Sequence, residues 1–401
     1  MKEHDTEIGR PMPERLLIVG ASARAAAESA KRSNFDPLAV DQFGDQDLRD
    51  IADVRLCEKF PEQIPELADT LPAGGMILTG AMENHPSIVR EISNKRVYWG
   101  CSSHAIAAVR DPIRLQNILR QNNLPSVKTR LACEMGSADG VWLQKPLRSA
   151  CGIGIRIQNA KRMHHTCGES VDHYYQERIE GDSQSGVFLT SDESTLLMGV
   201  TEQWIGVPWL NARPFGYAGS LGPLSLDDNT LQVWQQIGDV LRQHFGLRGI
   251  FGVDAVIRRG SIYVIEVNPR FPASAEIVDL AGDGQLMRHH VRACSSHKID
   301  IAPYIPQDLT FAKAIYYAPQ DLVVPTELKS IIDKMPHDLR GLRMADIPVA
   351  GTKIKQGNPV FTLLAKGTSA TMVRRTLKAS VDRLQQFLTC RIGQGIDSHA
   401  T

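Results

Sequence analysis

The residues with the clearest chemistry lie in one short stretch. Gly252-Val253-Asp254-Ala255-Val256-Ile257 and Ile262-Tyr263-Val264-Ile265-Glu266-Val267-Asn268-Pro269-Arg270 are two β-branched runs around Arg258-Arg259-Gly260-Ser261, the pattern of an antiparallel hairpin. If Arg258 pairs with Ile262, Asp254 stands opposite Glu266, and the strand period of two returns Asn268 to the same face. Val253, Ala255, Ile265 and Val267 then point into the core. Two carboxylates and an amide oxygen are hard donors that suit Mg²⁺, with Mn²⁺ as an alternative, better than zinc. Like charges at cross-strand distance otherwise destabilise a sheet, and a cation between them resolves the conflict. The same residues would serve equally well as solvent-facing positions of an ordinary hairpin.

The surrounding chain supplies the elements that must hold this hairpin. Leu16-Leu17-Ile18-Val19, Pro37-Leu38-Ala39-Val40-Asp41, Met76-Ile77-Leu78-Thr79 and Val97-Tyr98-Trp99 read as strands. Helical stretches at 22–31 and 85–93 intervene, so residues 1–104 form a parallel α/β domain of Rossmann-like order. Residues 105–300 begin helical, with a break at Asp111-Pro112, continue strand-rich to about residue 220, and carry a helix over 227–245 before the hairpin. Residues 301–401 read as a small β-rich module closed by a helix near 371–388. The fold class is therefore mixed, α/β followed by α+β.

Composition narrows the function without naming it. Lys and Arg number 45 against 45 Asp and Glu, so no overall field gathers polyanions and nucleic acid is not an expected partner. The seven cysteines, at 57, 101, 133, 151, 167, 294 and 390, are never closer than sixteen residues, which argues against a disulfide framework or a CxxC knuckle and for a reducing cytoplasm. The polar N-terminus lacks a secretory pattern, and no run is apolar enough to span a membrane. A P-loop and a G-x-S-x-G nucleophile elbow are absent. Gly20-Ala21-Ser22 with Asp41 mimics part of a dinucleotide fingerprint, but one glycine of three reads better as a tight strand-to-helix turn. His164-His165 with Cys167, and His289-His290, are poor metal sites because adjacent side chains on one element diverge.

Gly252-Val253-Asp254 followed by Glu266-Val267-Asn268-Pro269-Arg270 resembles the metal-binding signature of the ATP-grasp superfamily. Phe271-Pro272-Ala273-Ser274-Ala275-Glu276, Gly219-Ser220-Leu221-Gly222-Pro223-Leu224 and the 346–357 stretch are similar to its subgroup of predicted ATP-dependent carboligases related to biotin carboxylase. The resemblance implies an N-terminal pre-ATP-grasp domain, an ATP-grasp domain, and Mg²⁺ on Asp254, Glu266 and Asn268 holding the phosphates of ATP.

It further implies an upstream strand lysine, a Gly-rich loop and an adenine-reading hinge, and these occur in order. Lys145 ends Trp142-Leu143-Gln144-Lys145 and would oppose the α- and β-phosphates; Ser149, Gly152 and Gly154 lie in the loop that would close over them. Gly152-x-Gly154 alone fits a plain hairpin turn equally well. Tyr174-Tyr175-Gln176-Glu177-Arg178-Ile179-Glu180-Gly181 resembles the hinge, so Glu177 and Ile179 carry over as adenine contacts, with Glu180 and Asp182 as weaker candidates. Where the family often has a lysine after an Asp, this chain has Pro112; Arg110, Arg114 or Lys128 could substitute.

Arg270 stands at the mouth of the metal site, where a guanidinium would clamp a carboxylate or acyl phosphate. Arg213 is a second candidate, and Trp204, Trp209 and Phe215 would line a pocket or belong to the core. The implied activity is Mg·ATP-dependent activation of a small-molecule carboxylate as an acyl phosphate, then ligation to an amine. Glutamate ligation in coenzyme biosynthesis of the methanofuran or tetrahydromethanopterin type is one setting. Carboxylation through carboxyphosphate, and a non-catalytic nucleotide-binding regulator, are the alternatives. A homodimer is common among similar folds.

Overall fold

The computed structural model describes residues 15–131, 140–159, 172–296, 308–326 and 342–395, with positions 299, 301 and 328. The pair His164-His165 with Cys167, together with Cys133, lies outside the described residues.

The N-terminal part alternates strand and helix: β1 (Arg15–Val19), α1 (Arg24–Arg32), β2 (Asp36–Asp41), α2 (Gln46–Arg49), β3 (Asp53–Leu56), α3 (Ile64–Asp69), β4 (Gly75–Leu78) and α4 (Pro86–Ser93). The strands form a parallel sheet in the order β3-β2-β1-β4. Leu16, Leu17, Ile18 and Val19 are all fully buried, because helices cover both faces of a parallel strand. The expected strand at 97–99 reduces to one parallel bridge between Met76 and Tyr98. Asp41 is spent on backbone: its carboxylate accepts from the N–H groups of Ala23 (2.7 Å), Phe43 (2.7 Å) and Gly44 (2.6 Å). A Cβ at Gly20 would meet Thr79 Oγ1 at 2.0 Å, so this glycine serves a close approach of strands.

Two capped helices follow, α5 (Ser103–Val109) and α6 (Pro112–Gln121). Ser102 accepts from Ala105 N (3.1 Å), and Asp111 accepts from Ile113 N (2.9 Å) and Arg114 N (3.0 Å). Pro112 fills the first helical position, where its missing N–H costs nothing. Asp111-Pro112 is thus a helix start, and the break read in the sequence has this cause.

A four-stranded antiparallel sheet in the order β5-β8-β6-β7 comprises β5 (Thr129–Leu131), β6 (Val141–Pro146), β7 (Arg156–Asn159) and β8 (His173–Glu177). A larger sheet begins with β9 (Asp182–Thr190), β10 (Thr195–Ile205) and β11 (Tyr217–Gly222). Then come α7 (Asp228–Phe245), β12 (Gly249–Arg258), β13 (Ser261–Asn268), α8 (Ala275–Ala281) and α9 (Leu286–Ser295). Helix α7 starts on Asp227, which accepts from Thr230 N at 3.0 Å, and stops on Gly246 in the left-handed region. Its Trp234, Ile237 and Leu241 are buried with Phe188 and Phe251 of the sheet.

The last elements are β14 (Thr310–Tyr317), β15 (Leu322–Val323), β16 (Leu342–Ala345), β17 (Lys353–Ile354), β18 (Pro359–Gly367) and α10 (Ala370–Gly395). Of these, β14, β18 and β16 add to the large sheet, giving the order β13-β12-β9-β10-β11-β14-β18-β16, while β15 and β17 pair with each other in a separate two-stranded sheet. Arg24 of α1 joins all three parts: it pairs with Glu276 of α8 and, at 2.8 Å, with Asp346 after β16. Among the described residues, no helix is long and apolar enough to cross a membrane.

Candidate active site

The hairpin of β12 and β13 pairs Asp254 with Glu266 and Gly252 with Asn268. The turn, however, is shorter than expected: Arg258 pairs with Ser261, leaving Arg259 and Gly260 as its two central residues, both at positive φ. A bulge after Asp254 compensates, since Ala255 pairs with Val264 and Ile265 is the extra residue. Two one-residue differences cancel, and the two carboxylates still face each other. Ile265 is therefore half-buried outside the core, while Val253, Ala255 and Val267 are fully buried.

Each member of this group has a defined set of partners. Asp254 accepts from Ser185 Oγ (2.9 Å), Gln203 Nε2 (3.0 Å) and Asn268 Nδ2 (2.9 Å). Burial, and next the neighbouring Glu266 charge, push its carboxyl up to about 6. Glu266 is bonded to Arg110, and although burial would raise it, Arg110, Lys145 and Arg270 hold it below the usual carboxylate range. Asn268 presents its Oδ1 to Arg270 Nη2 at 3.1 Å. The donors are all oxygen, with a carboxylate on each strand and an amide two residues on. They fit Mg²⁺, which would separate Asp254 from Glu266 and relieve their repulsion.

Lys145, on β6, is buried; its Nζ donates to Gln176 Oε1 at 3.1 Å and stands 5.6 Å above the Tyr174 ring. Burial works against its charge, yet Tyr174 and Glu266 raise the ammonium above its ordinary range, so it is a fixed cation beside the carboxylates. The Gly-rich loop runs from β6 to β7. Cys151, Gly152 and Gly154 all have positive φ, and Ser149 Oγ donates to the Ile153 carbonyl at 2.6 Å. At Gly152 a Cβ would lie 1.9 Å from the Phe215 carbonyl oxygen, which leaves glycine alone able to sit there.

Among the three basic residues offered in place of the missing lysine, Arg110 enters the site. It bonds Glu266 and reaches Asn84 Oδ1 and the Ser149 carbonyl, each at 3.4 Å. Arg114 lies over the Phe245 ring at 5.3 Å, and Lys128 Nζ is 4.0 Å from Glu177, beside the expected hinge. In that hinge, Glu177 N donates to the Lys128 carbonyl (2.8 Å) and Arg178 N to the Val141 carbonyl (2.9 Å). Ile179 follows, half-buried, and Glu180 is solvent-exposed. Asp182 is exposed at the start of β9 opposite Ile257, three residues from the Ser185 that pairs with Asp254. It therefore stands apart from the carboxylate pair.

Arg270 is oriented from a direction the sequence did not suggest. Glu83, buried in the loop after β4, receives Nη2 at 2.7 Å and Nε at 3.1 Å. Arg270 holds Glu83 below the usual carboxylate range in spite of burial. Asn84 Nδ2 donates to the Ser149 carbonyl at 3.3 Å, so the N-terminal domain braces both the arginine and the Gly-rich loop. The one available signal was topological: Glu83 and Asn84 lie beyond the carboxyl end of a parallel strand, where open α/β sheets bind ligands.

Other sequence candidates are placed elsewhere. His290 is buried, with Nδ1 accepting from Ile250 N (2.8 Å) and Nε2 near the Trp99 carbonyl (3.1 Å); His289 Nε2 lies 2.7 Å from Asp283. The two rings diverge, as adjacent side chains must. Arg213 donates to the Gly357 carbonyl at 2.9 Å.

The model of the ATP-grasp domain family matches residues 109–274. This chain therefore carries an ATP-grasp domain, and that segment includes Lys145, the Gly-rich loop, the 174–181 stretch and the hairpin of β12 and β13. It is similar to the biotin carboxylase domain of 2-oxoglutarate carboxylase from Hydrogenobacter thermophilus, solved with Mg·ADP, ADP and bicarbonate. That likeness has a TM-score of 0.64 and 14% identity, covering 90% of this chain and 87% of the other. The L-amino acid ligase from Bacillus licheniformis is similar at a TM-score of 0.67 and 14% identity, covering 92% of this chain and 97% of that one. These likenesses establish the fold. An uncharacterized protein of Methanocaldococcus jannaschii is 23% identical over 197 residues, 48% of this chain and 42% of the relative, so the chain spans about two fifths of that protein's length.

Proposed function

We propose that the protein is a Mg·ATP-dependent ligase that activates a small-molecule carboxylate and joins it to an amine. The observation that carries this reading is the convergence of Asp254, Glu266 and Asn268 with Lys145, Arg110 and Arg270 on one face of the hairpin. Mg²⁺ on Asp254, Glu266 and Asn268 would neutralise charge on the β- and γ-phosphates. Lys145 and Arg110 oppose the remaining phosphate charge, and the loop bearing Ser149, Gly152 and Gly154 covers it. Glu177 and Ile179 receive the adenine, with Asp182 on the ribose side.

Arg270, held by Glu83, orients the carboxylate whose oxygen attacks the γ-phosphorus. The bond to ADP breaks as the acyl phosphate forms. An amine then attacks the acyl carbon, inorganic phosphate leaves, and the amine proton passes to solvent. Water must be kept out during the lifetime of the acyl phosphate, and the Gly-rich loop, tied to Asn84 and Arg110 through the Ser149 carbonyl, is placed to do this. Coenzyme biosynthesis with glutamate as the ligated amino acid is the setting we favour, in a homodimer of the cytoplasm.

Carboxylation through carboxyphosphate is the second reading, supported by likeness to a carboxylase domain solved with bicarbonate. A screen of ADP release with Mg·ATP across carboxylates and amines, with mass spectrometry of products, separates the two. The ligase reading expects release that needs both partners and an amide product. Release that depends on bicarbonate alone selects carboxylation, and tight ATP binding without release under any condition selects a nucleotide-binding regulator.

A further inference from the structure

The loop between β10 and β11 does not end its role at Gly152. Residues 206–216 close on themselves, Gly206 N donating to the Gly216 carbonyl at 2.8 Å, and hold Asn211 and Phe215 at positive φ. Val207 and Trp209 join Trp204 and, from α10, Arg374, Arg375 and Lys378 around a cavity of about 320 Å³. The two indoles meet edge to face, 5.9 Å between centroids at 64°.

The charges around this cavity are unbalanced. Arg374 is paired with Glu202 and lies 5.3 Å above the Trp204 ring, so it is neutralised and forms a wall. Arg375 and Lys378 are exposed and, among the described residues, meet no acidic side chain. In a chain with 45 basic and 45 acidic residues, this is a local positive rim rather than part of a global field. Trp204 is buried under Arg374, so the half-buried Trp209 supplies the indole surface that favours a flat ring, and cations at the rim favour an acidic group on it. Neutral rings forgo the rim, and aliphatic anions forgo the indole. The volume, at the small end for ligand pockets, suits one ring system with one acidic substituent.

We infer that the cleft between the 206–216 loop and α10 is a binding site for a planar aromatic anion, an aryl carboxylate or an aryl phosphate. The site lies apart from the hairpin face and needs no nucleotide chemistry to be tested.

Isothermal titration calorimetry on the full chain, with benzoate, indole-3-carboxylate and phenyl phosphate as probes, tests it. Acetate, inorganic phosphate and benzamide serve as controls. At least one aromatic anion should bind about tenfold or more tighter than every control, and its affinity should fall between about 50 and about 300 mM salt. The aryl carboxylates compared with phenyl phosphate identify the acidic group preferred. R375E combined with K378E, both at exposed positions, should abolish the heat while leaving the melting temperature unchanged; Trp209→Leu should weaken it. Binding that survives both changes places the ring elsewhere and overturns the assignment. So does a chain that takes up no aromatic anion, including one whose dimer, seen by sedimentation velocity, dissociates in the R375E/K378E variant because a second copy fills the cleft.

Discussion

Glu83 and Arg270 are 187 residues apart and form a two-point ion pair, Nη2 to Oε1 at 2.7 Å and Nε to Oε2 at 3.1 Å. One residue comes from the loop after the last strand of the N-terminal sheet and the other from just beyond the hairpin of β12 and β13. Glu83 is buried and Arg270 largely so, and the pair fixes the guanidinium plane and ties the two sheets together at the same point.

Replacing Glu83 by Gln leaves the Arg270 charge without its partner in a buried setting. Breaking one side of such a pair costs about 3–5 kcal/mol, which urea unfolding should register. ADP release should fall at the same time, and Arg270→Lys, which keeps charge but not the fork, should lower it with a smaller loss of stability.

Asp254→Asn and Glu266→Gln should each reduce Mg-dependent ADP release by at least about 10²-fold. Asp254→Asn removes one member of a repelling pair, and its unfolding midpoint should stay level or rise. Undiminished turnover in either variant would contradict the metal assignment.

Gly152→Ala tests the Gly-rich loop. Its φ of +73° and the Phe215 carbonyl oxygen 1.9 Å from a built Cβ require the backbone to move. The KM for Mg·ATP should rise by about tenfold, equivalent to about 1.4 kcal/mol, with little change in the circular dichroism spectrum.

His290 supplies a pH signature unrelated to catalysis. Burial pushes its imidazole down to about 4, below the ordinary value of 6.5. The unfolded chain therefore binds the extra proton first as pH falls, so stability is full above about 6.5 and is lost progressively toward pH 4. The loss is of order 3 kcal/mol for a shift of this size. In His290→Gln, which keeps an acceptor and a donor but does not titrate, urea unfolding from pH 7 to 4 should lack that slope even if the variant is less stable throughout.

Contacts close in sequence were legible in advance. The pairing of Asp254 with Glu266 across a short turn, the interruption at Asp111-Pro112, the 227–245 span of α7 and the strand carrying Lys145 all rest on strand period, breaker residues and helical spacing. The hairpin turn is one residue shorter than the strand pattern predicts, and the bulge at Ile265 restores the pairing of Asp254 with Glu266 because core packing of Val253, Val264 and Val267 fixes which face is buried. Glu83, Asn84 and the choice of Arg110 over Arg114 and Lys128 were not legible, since each depends on how the N-terminal sheet meets the hairpin. Local rules act over a few residues, whereas that meeting is decided by burial of apolar surface between domains. The sequence alone thus determined the hairpin, its donor chemistry and the order of the nucleotide-binding segments. Only the tertiary structure decided which distant charges orient that chemistry, because an ion pair between Glu83 and Arg270 exists only once packing has brought their two loops together and shielded the pair from most of the solvent.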